Sequence, residues 1–261
     1  MALLEVKDLS IHFGGVKAVQ NVSFSIDAGI VYAVIGPNGA GKTTLFNLIT
    51  GIYTPTTGSI LLDGESITGK SPDELARRGV ARTFQNLQIC MNMSAIENVM
   101  VGAHLRLDRN LLKAALRWPA LKKRDRELHT EAAELMSFVG LASYVDARAD
   151  SMPYGALKRL EIARALAMKP RLIFLDEPAA GLNPKETIEV DALVRKVADS
   201  GVTVVLVEHV LNLVLEVSDS VTVLSAGKVL ASGTPDEIRN NADVQSAYLG
   251  RRAAAGAKSR E

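Results

Sequence analysis

The chain has 261 residues, of which 48% are hydrophobic and 23% charged, and its formal net charge is +1. This composition is typical of a globular protein with a large core, and the balanced charge excludes a global basic field, so we expect no nucleic-acid partner. A single cysteine, Cys90, excludes an internal disulfide and fits a reducing compartment.

The apolar segments predict neither a secretion signal nor a membrane span. Residues 1–6 lack the basic start and the uninterrupted apolar core of a signal. The most apolar window, Val202–Val217, contains two glutamates, a histidine and an asparagine, which a span does not tolerate. If the protein works at a membrane, we therefore expect a partner that spans the bilayer.

The N-terminal part alternates short runs of apolar and polar positions. Over residues 4–35 these runs are separated by glycine turns, which predicts a small antiparallel layer followed by a first buried strand, Val31–Ile35. The hairpin-like segment Ile60–Gly64 is expected to join this layer.

A glycine-rich loop of the pattern GxxxxGK[ST] follows this buried strand and leads into a helix-like segment. That order predicts a phosphate-binding loop and hence a nucleotide site. Its glycines let the main chain approach phosphates, and its N–H groups and the positive helix end attract the anion. Lys42 would neutralise phosphate charge, and Thr43 would complete the shell of a Mg²⁺ ion. The alternative is a glycine turn that caps an ordinary helix. The predicted loop comprises Gly36, Pro37, Asn38, Gly39, Ala40, Gly41, Lys42, Thr43 and Thr44.

Helix-period apolar positions dominate the middle of the chain. The segment Ile96–Ala149 predicts a largely helical subdomain, inserted over about residues 95–168. Buried strands return at Arg171–Leu175 and Val202–Val207, each preceded by a helical segment. Strands and helices in this alternation predict βα units and a parallel sheet.

These segments together predict the α/β class: a P-loop NTPase core with a parallel sheet, an N-terminal antiparallel β subdomain and the inserted helical subdomain. We expect one domain over residues 1–250 and a flexible tail over 251–261. Near the end of the domain, Thr234 followed by Glu237 predicts a capped helix start.

Two carboxylates, Asp176 and Glu177, follow the buried strand Arg171–Leu175. Parallel strands meet at one edge with their carboxyl ends, so these acids are expected beside the phosphate loop. Asp176 would hold Mg²⁺ through water, and Glu177 would polarise an attacking water as a general base. The alternative is a strand that ends in solvated acids at a turn bounded by Pro178.

His209 follows the next core strand, Val202–Val207. A lone histidine is more often an ordinary core or surface residue. Its place after a second core strand nevertheless lets it reach the same sheet edge, where we expect it to touch the γ-phosphate.

In this order the motifs resemble those of ATP-binding-cassette ATPases, over about residues 4–250. The resemblance implies that the ligands are ATP and Mg²⁺ and that the chain is an ATPase whose hydrolysis is coupled to transport. It rests on the phosphate loop, Arg82-Thr83-Phe84-Gln85, Met152-Pro153-Tyr154-Gly155-Ala156 before a helix over Leu157–Met168, Asp176-Glu177, Ala180-Gly181-Leu182-Asn183 and His209.

The same resemblance assigns roles to residues outside the loop. Gln85 would sense Mg²⁺ and the attacking water and link the site to a transport partner. Phe13 would stack on adenine, with Val16 and Ala18 lining the same pocket, although an aromatic is by default more often core packing. The implied catalytic set is Glu177, His209 and Gln85, and the implied metal ligands are Thr43, Gln85 and Asp176.

The signature of the family usually reads Leu-Ser-Gly-Gly-Gln and holds the γ-phosphate bound on the opposite subunit. Here Pro153 and Ala156 stand at the Ser and Gln positions, so the hydroxyl donor is missing, whereas the backbone at Tyr154 and Gly155 remains. Asn183 likewise replaces a common acid. We therefore expect two unequal nucleotide sites; the alternative is that backbone amides suffice and both sites work.

Within the family, the chain is similar to the ATP-binding subunit of branched-chain or hydrophobic amino-acid importers. The likeness lies in residues 81–86, 159–166, 176–184, 233–235 and 247–250. It implies a second ABC ATPase subunit, similar or identical, membrane permease subunits, and indirectly a soluble substrate-binding protein. The chain would then lie at the cytoplasmic face of the inner or plasma membrane, held there by the permease.

Three other functions stay open. Importers of urea or short amides look alike. An ABC ATPase that acts on nucleic acid or ribosomes would usually carry two cassettes or long coiled-coil insertions, and neither is present in this sequence. A regulatory subunit that no longer hydrolyses ATP is disfavoured by Glu177 and His209.

The segment Arg106–Arg126 carries eight basic residues with interleaved leucines. Such a charge run is usually a solvated helix face. The alternative is contact with anionic lipid headgroups or with the membrane subunit.

Overall fold

The computed structural model describes residues 2–106, 118–208 and 211–248. Over these residues the chain forms two sheets and the helices that cover them. The strands are β1 (Ala2–Phe13), β2 (Val16–Asp27), β3 (Val31–Ile35), β4 (Thr57–Leu62), β5 (Glu65–Ser66), β6 (Val80–Arg82), β7 (Leu172–Asp176), β8 (Thr203–Val207), β9 (Ser220–Ser225) and β10 (Lys228–Gly233). The helices are α1 (Lys42–Ile49), α2 (Pro72–Arg77), α3 (Ala95–Gly102), α4 (Trp118–Phe138), α5 (Tyr154–Leu166), α6 (Pro184–Asp199), α7 (Leu211–Val217) and α8 (Pro235–Arg239).

The larger sheet has the strand order β10-β9-β3-β8-β7-β6. All its neighbouring strands are parallel except β10, which pairs antiparallel with β9. In the register, Val34 of β3 lies opposite Val207 of β8, which in turn lies opposite Asp176 of β7. The carboxyl ends of β3, β7 and β8 therefore reach the same edge, as the sequence predicts.

The smaller sheet is antiparallel, with the order β2-β1-β4-β5. It contains the alternating N-terminal segment and the hairpin predicted around Ile60–Gly64, because β4 pairs with both β1 and β5. The α/β class and the antiparallel layer are therefore confirmed.

The core is divided into two layers by the larger sheet. One layer contains Ala33, Ile35 and Leu175 and packs against helices α3 to α7. The other contains Val34 and Phe174 and packs against α1 and the antiparallel sheet. This division follows from the alternation of side chains along each strand.

Helices α3, α4 and α5 lie between β6 and β7 in the chain, where the helical insertion was predicted. The extent of this subdomain and of the whole domain stays a prediction, and the predicted tail over 251–261 lies outside the described residues. At Gly102 of α3 an added Cβ would lie 2.0 Å from the backbone oxygen of Arg164 in α5. A glycine is needed at this position because the backbone of α5 occupies the space that a side chain on α3 would fill.

The start of α5 differs from the prediction of Leu157–Met168. The helix begins at Tyr154, because Leu157 N donates to Pro153 O at 3.0 Å and closes the first turn. The prediction placed Tyr154 to Ala156 in the signature before the helix, whereas the structure includes them in the first turn; the helix cost of Gly155 is small there, because it falls in a terminal turn. The helix predicted after Thr234 is confirmed: α8 has a capping box between Thr234 and Glu237.

In the described part of the chain, no helix has both the length and the apolar character needed to cross a bilayer. Of the basic segment Arg106–Arg126, residues 107–117 lie outside that part. Among the described residues of this segment, the side chain of Lys123 is 80% exposed, and its Nζ lies 3.9 Å from Glu127 Oε1. This is expected of a solvated helix face.

Candidate functional site

The phosphate loop connects the end of β3 to the start of α1, as predicted. Gly39 and Gly41 have positive φ angles of 80° and 102°. A Cβ on Gly41 would lie 2.6 Å from the carbonyl oxygen of Ala18, whereas a Cβ on Gly39 would meet no atom of the described residues within 4 Å. Gly41 is thus required by packing against β2. Gly39 faces open space, so close approach of the backbone to phosphate can explain a glycine at that position. It does not explain Gly41, whose Cβ position faces the backbone of β2.

A cleft of about 390 Å³ opens beside this loop. Two of the residues predicted to lie around adenine, Val16 and Ala18, belong to its lining. Phe13 does not, but it is 46% exposed and packs edge-on against Tyr53 with ring centroids 5.3 Å apart. This exposure excludes the alternative of core packing for Phe13. The cleft is lined by Val16, Lys17, Ala18, Gly39, Gly41, Lys42, Thr43, Thr44, Ala226 and Gly227.

The ammonium group of Lys42 lies inside the loop. Its Nζ donates to Gly36 O at 2.8 Å and to Pro37 O at 3.2 Å, and the residue is only 7% exposed. A buried cation at a helix N-terminus forms an anion site together with the loop N–H groups.

Asp176 ends β7 at the same sheet edge. Two strand spacings separate it from β3, or about 10 Å, with β8 in between. Its N–H donates to Thr83 Oγ1 at 3.4 Å, and its Oδ2 accepts from Arg82 Nη2 at 3.0 Å. The carboxylate is therefore buried and held from the β6 side.

Glu177 has a left-handed backbone, with φ +49°. Such a conformation costs a side-chain-bearing residue on the order of 1–3 kcal/mol and persists only when neighbours enforce it. Here its N–H donates to Val207 O at 3.0 Å, and its carbonyl accepts from Ala180 N at 3.1 Å. Its Oε2 accepts from Gln85 Nε2 at 3.1 Å. The structure thus brings together Gln85 and Glu177, two of the three residues predicted to be catalytic.

The third, His209, lies outside the described residues. The residue before it, Glu208, is buried and accepts from Ala179 N at 3.2 Å. The end of β8 therefore contacts the loop that follows Glu177.

The first turn of α5 carries the two predicted signature residues, and neither lines the cleft described above. Tyr154 is 45% exposed, whereas Gly155 is buried. A Cβ on Gly155 would lie 2.6 Å from Glu186 Oε1. The N-cap residue, Pro153, has no polar side-chain atom and makes no side-chain capping hydrogen bond. Asn183 is itself an N-cap: its side chain accepts from Glu186 N at 3.0 Å at the start of α6.

Helix α5 also holds the segment that follows Gln85. Lys158 Nζ donates to Gln85 O at 3.2 Å, and Gln88 N donates to Glu161 Oε1 at 3.3 Å. Arg164 donates to Gln88 O. Burial raises the pKa of Glu161, with the Gln88 amide opposing that shift. Three side chains, one on each successive turn of the helix, thus fasten residues 85–88 to α5.

Two residues near the site received no role from the sequence. Arg82 contacts Asp176, and a signal for it existed in the sequence, because an arginine ends a buried strand next to one that ends in an acid. Tyr248 lies near the first residue of the phosphate loop. Burial raises the pKa of its hydroxyl to about 12, and the Gly36 amide opposes that shift. No sequence pattern pointed to this contact.

Comparison with known families and proteins agrees with this geometry. Residues 19–180 match the family described as "ABC transporter", and residues 228–254 match the one described as "Branched-chain amino acid ATP-binding cassette transporter". The chain is 46% identical over 249 residues to BraF of Pseudomonas aeruginosa, a high-affinity branched-chain amino acid transport ATP-binding protein. That alignment covers 95% of this chain and 98% of BraF. LivG of Escherichia coli, which has the same description, is 43% identical with the same coverage.

Solved structures show the same similarity. The ADP conformation of MJ1267, an ATP-binding cassette of an ABC transporter, has a TM-score of 0.84 at 31% identity. The match covers 96% of this chain and 99% of MJ1267. CbiO1 of Clostridium perfringens, part of the ABC transporter complex cbiONQ, has a TM-score of 0.80 at 26% identity and covers 100% of this chain and 99% of that one. The chain therefore belongs to the ABC transporter family, as one of its ATPase domains.

Proposed function

We propose that this chain is the ATP-hydrolysing subunit that couples energy to an importer of branched-chain or other hydrophobic amino acids. The cargo assignment depends on two matches, one to a whole relative and one to a family model. The chain is 46% identical, almost end to end, to a protein described by that transport, and its residues 228–254 match a family of the same description.

ATP is held, in this proposal, by the loop and by the N-terminus of α1. The loop N–H groups and the helix dipole attract the phosphates, and Lys42 adds a cation that is already inside the loop. Val16 and Ala18 supply the apolar lining of the cleft, and the exposed ring of Phe13 is available to stack on adenine.

The donor set fits Mg²⁺. Thr43, Gln85 and Asp176 offer hydroxyl, amide and carboxylate oxygens, which are the ligands that Mg²⁺ prefers. Among the described residues, no group of three histidine, cysteine or acidic residues could bind a metal by itself. Thr43, Gln85 and Asp176 would therefore hold the ion together with the nucleotide. When bound, Mg²⁺ would neutralise charge on the phosphates.

Glu177 is the proposed general base. Its carboxylate lies beside the Gln85 amide, which would orient the attacking water, and its rigid backbone fixes the direction of the side chain. Hydrolysis in such sites depends mainly on positioning and charge neutralisation. His209 is proposed to contact the γ-phosphate.

We propose that two ATPase subunits sandwich two nucleotides, each between the phosphate loop of one subunit and the signature of the other. Binding closes the pair and hydrolysis reopens it, and the segment after Gln85, roughly Asn86–Asn98, passes this motion to permease subunits in the membrane. A soluble substrate-binding protein would deliver the cargo. The chain would lie at the cytoplasmic face of the membrane.

Reconstitution tests this function directly. The chain, its copurifying ATPase and its membrane subunits are placed in proteoliposomes with the binding protein, and ATP-dependent uptake of labelled leucine, valine, urea and acetamide is compared. We expect uptake of the amino acids, with loss of both uptake and hydrolysis in Lys42→Ala and no loss in Lys7→Ala. Uptake of urea or acetamide alone would overturn the cargo assignment. Copurification with ribosomes or nucleic acid instead of membrane subunits would overturn the transport role.

A further inference from the structure

Arg82 makes several buried polar contacts, and the sequence assigned it no role. It ends β6, and its side chain is only 8% exposed. Nη2 donates to Asp176 Oδ2 at 3.0 Å. Nη1 donates to Asn47 Oδ1 on α1 at 2.7 Å and to Oγ1 of Thr50, the C-cap of α1, at 2.8 Å.

Two aromatic rings also lie near this guanidinium. It lies 5.0 Å from the centre of the Phe84 ring and 5.9 Å from that of Phe46. Within the described chain its Nε has no hydrogen-bond partner. A buried charge needs a charged or polar partner. Among the described residues Arg82 has three such partners: the Asp176 carboxylate, the Asn47 amide and the Thr50 hydroxyl.

The contacts on α1 connect Asp176 to a proposed metal ligand. Asn47 stands four residues after Thr43, and residues in this spacing lie on one face of a helix. A planar guanidinium with fixed donor directions sets the distance between the groups it bridges, which an ammonium does not. Arg82 therefore links the helix that carries Thr43 to the carboxylate at the end of β7.

We propose that Arg82 is a positioning residue for the metal: it fixes Asp176 relative to α1 and so sets the spacing of the two oxygen donors at Thr43 and Asp176. The proposal rests on the proposed function, since it assumes that Mg²⁺ binds with ATP at these residues. The guanidinium holds the carboxylate through its Oδ2 oxygen.

The test measures nucleotide binding as well as turnover, in the assembled complex. Affinity for a fluorescent ATP analogue is determined in EDTA and over a Mg²⁺ titration, for Arg82→Lys and for Asn47→Ala, which breaks one link to α1 and keeps the ion pair. Arg195→Lys is the matched control, because Arg195 Nη1 also lies 3.0 Å from an aspartate, Asp219, which contacts the N–H of Val31 at the start of β3 rather than the end of β7. Circular dichroism verifies that each variant is folded.

We expect Arg82→Lys to bind the analogue within about twofold of wild type in EDTA but to need at least tenfold more Mg²⁺ for half-saturation. High Mg²⁺ should restore part of its turnover. Asn47→Ala should shift the requirement in the same direction by a smaller factor, and Arg195→Lys should not shift it. If Arg82→Lys does not fold, Asn47→Ala carries the test alone.

Three results would overturn the proposal. One is an unchanged Mg²⁺ requirement in Arg82→Lys and Asn47→Ala. Another is an equal loss of affinity in EDTA and in Mg²⁺, which would make Arg82 merely structural. The third is tighter Mg²⁺ binding, which would mean that the guanidinium competes with the metal. If the wild type itself binds the analogue without any effect of Mg²⁺, the proposed function fails instead.

Discussion

Replacing Gly41 with alanine is expected to destabilise the fold, whereas the same change at Gly39 is expected mainly to weaken nucleotide binding. Both glycines belong to the phosphate loop and both have positive φ angles. They differ in surroundings, because only at Gly41 would the new methyl group meet backbone, 2.6 Å from Ala18 O.

The structure sets the size of each effect. At Gly41 the left-handed strain of about 1–2 kcal/mol adds to overpacking of about 1–3 kcal/mol. The sum of about 2–5 kcal/mol lowers the melting temperature by about 4–20 °C in a protein of this size. At Gly39 the strain acts alone, so the loss is about 2–8 °C. There the methyl group enters the cleft, and a loss of about 1.4 kcal/mol or more in binding weakens affinity tenfold.

Thermal unfolding without nucleotide and titration with MgATP separate the two effects. Gly64→Ala is the matched control, because Gly64 has φ +78° and open space around its Cβ position, like Gly39, but belongs to the β4–β5 turn. It should lose as much stability as Gly39→Ala and no affinity. The reasoning is refuted if Gly41→Ala melts within 2 °C of wild type, or if Gly39→Ala and Gly64→Ala bind nucleotide equally well.

Three further predictions follow from the site and the core. Glu177→Gln should keep ATP binding and lower turnover by about 10²–10⁴-fold, since general-base catalysis supplies that factor; normal turnover would contradict the base assignment. The site that uses Tyr154 and Gly155 should be the slower of two, because a missing charge-assisted hydrogen bond costs roughly 1.5–3 kcal/mol; equal residual rates after disabling Glu177 and its counterpart in turn would count against this. Burial, with Glu216 nearby, raises the pKa of Asp191 from 3.8 to about 6. The folded state therefore binds the proton more tightly, and stability falls as pH rises from about 4 to about 6. Asp191→Asn should remove this loss and raise the melting temperature by about 2–4 °C at pH 7.5 but not at pH 4, a gain near 1 kcal/mol after allowing for solvent screening; equal gains at both pH values would exclude the titration as the cause.

The sequence predicted those parts of the site that depend on strand ends. Periodicity places buried strands before the glycine loop and before Asp176, and parallel pairing then brings both to one edge. The two β-layers and the capped start of α8 follow from patterns that are equally local. These predictions succeed because neighbouring residues in the chain determine them.

Contacts between side chains of different elements were not predictable in this way. The pattern did not show that Arg82 reaches across to α1, nor that Gly41 is needed because β2 passes beside it. The start of α5 was misplaced because the signature residues were treated as a segment before the helix, although Pro153 O closes a helical turn over them. Each of these depends on which chain segment lies alongside, and one sequence does not contain that information.

The hydrogen bonds between α5 and residues 85–88 couple this segment to the helix as a whole. Lys158, Glu161 and Arg164 each make a hydrogen bond to this segment, so we expect α5 to move with it. Gly102 lets α3 pack closely against the same helix. We therefore expect a displacement of residues 85–88 to tilt α5 as one unit and to move Tyr154 at its start.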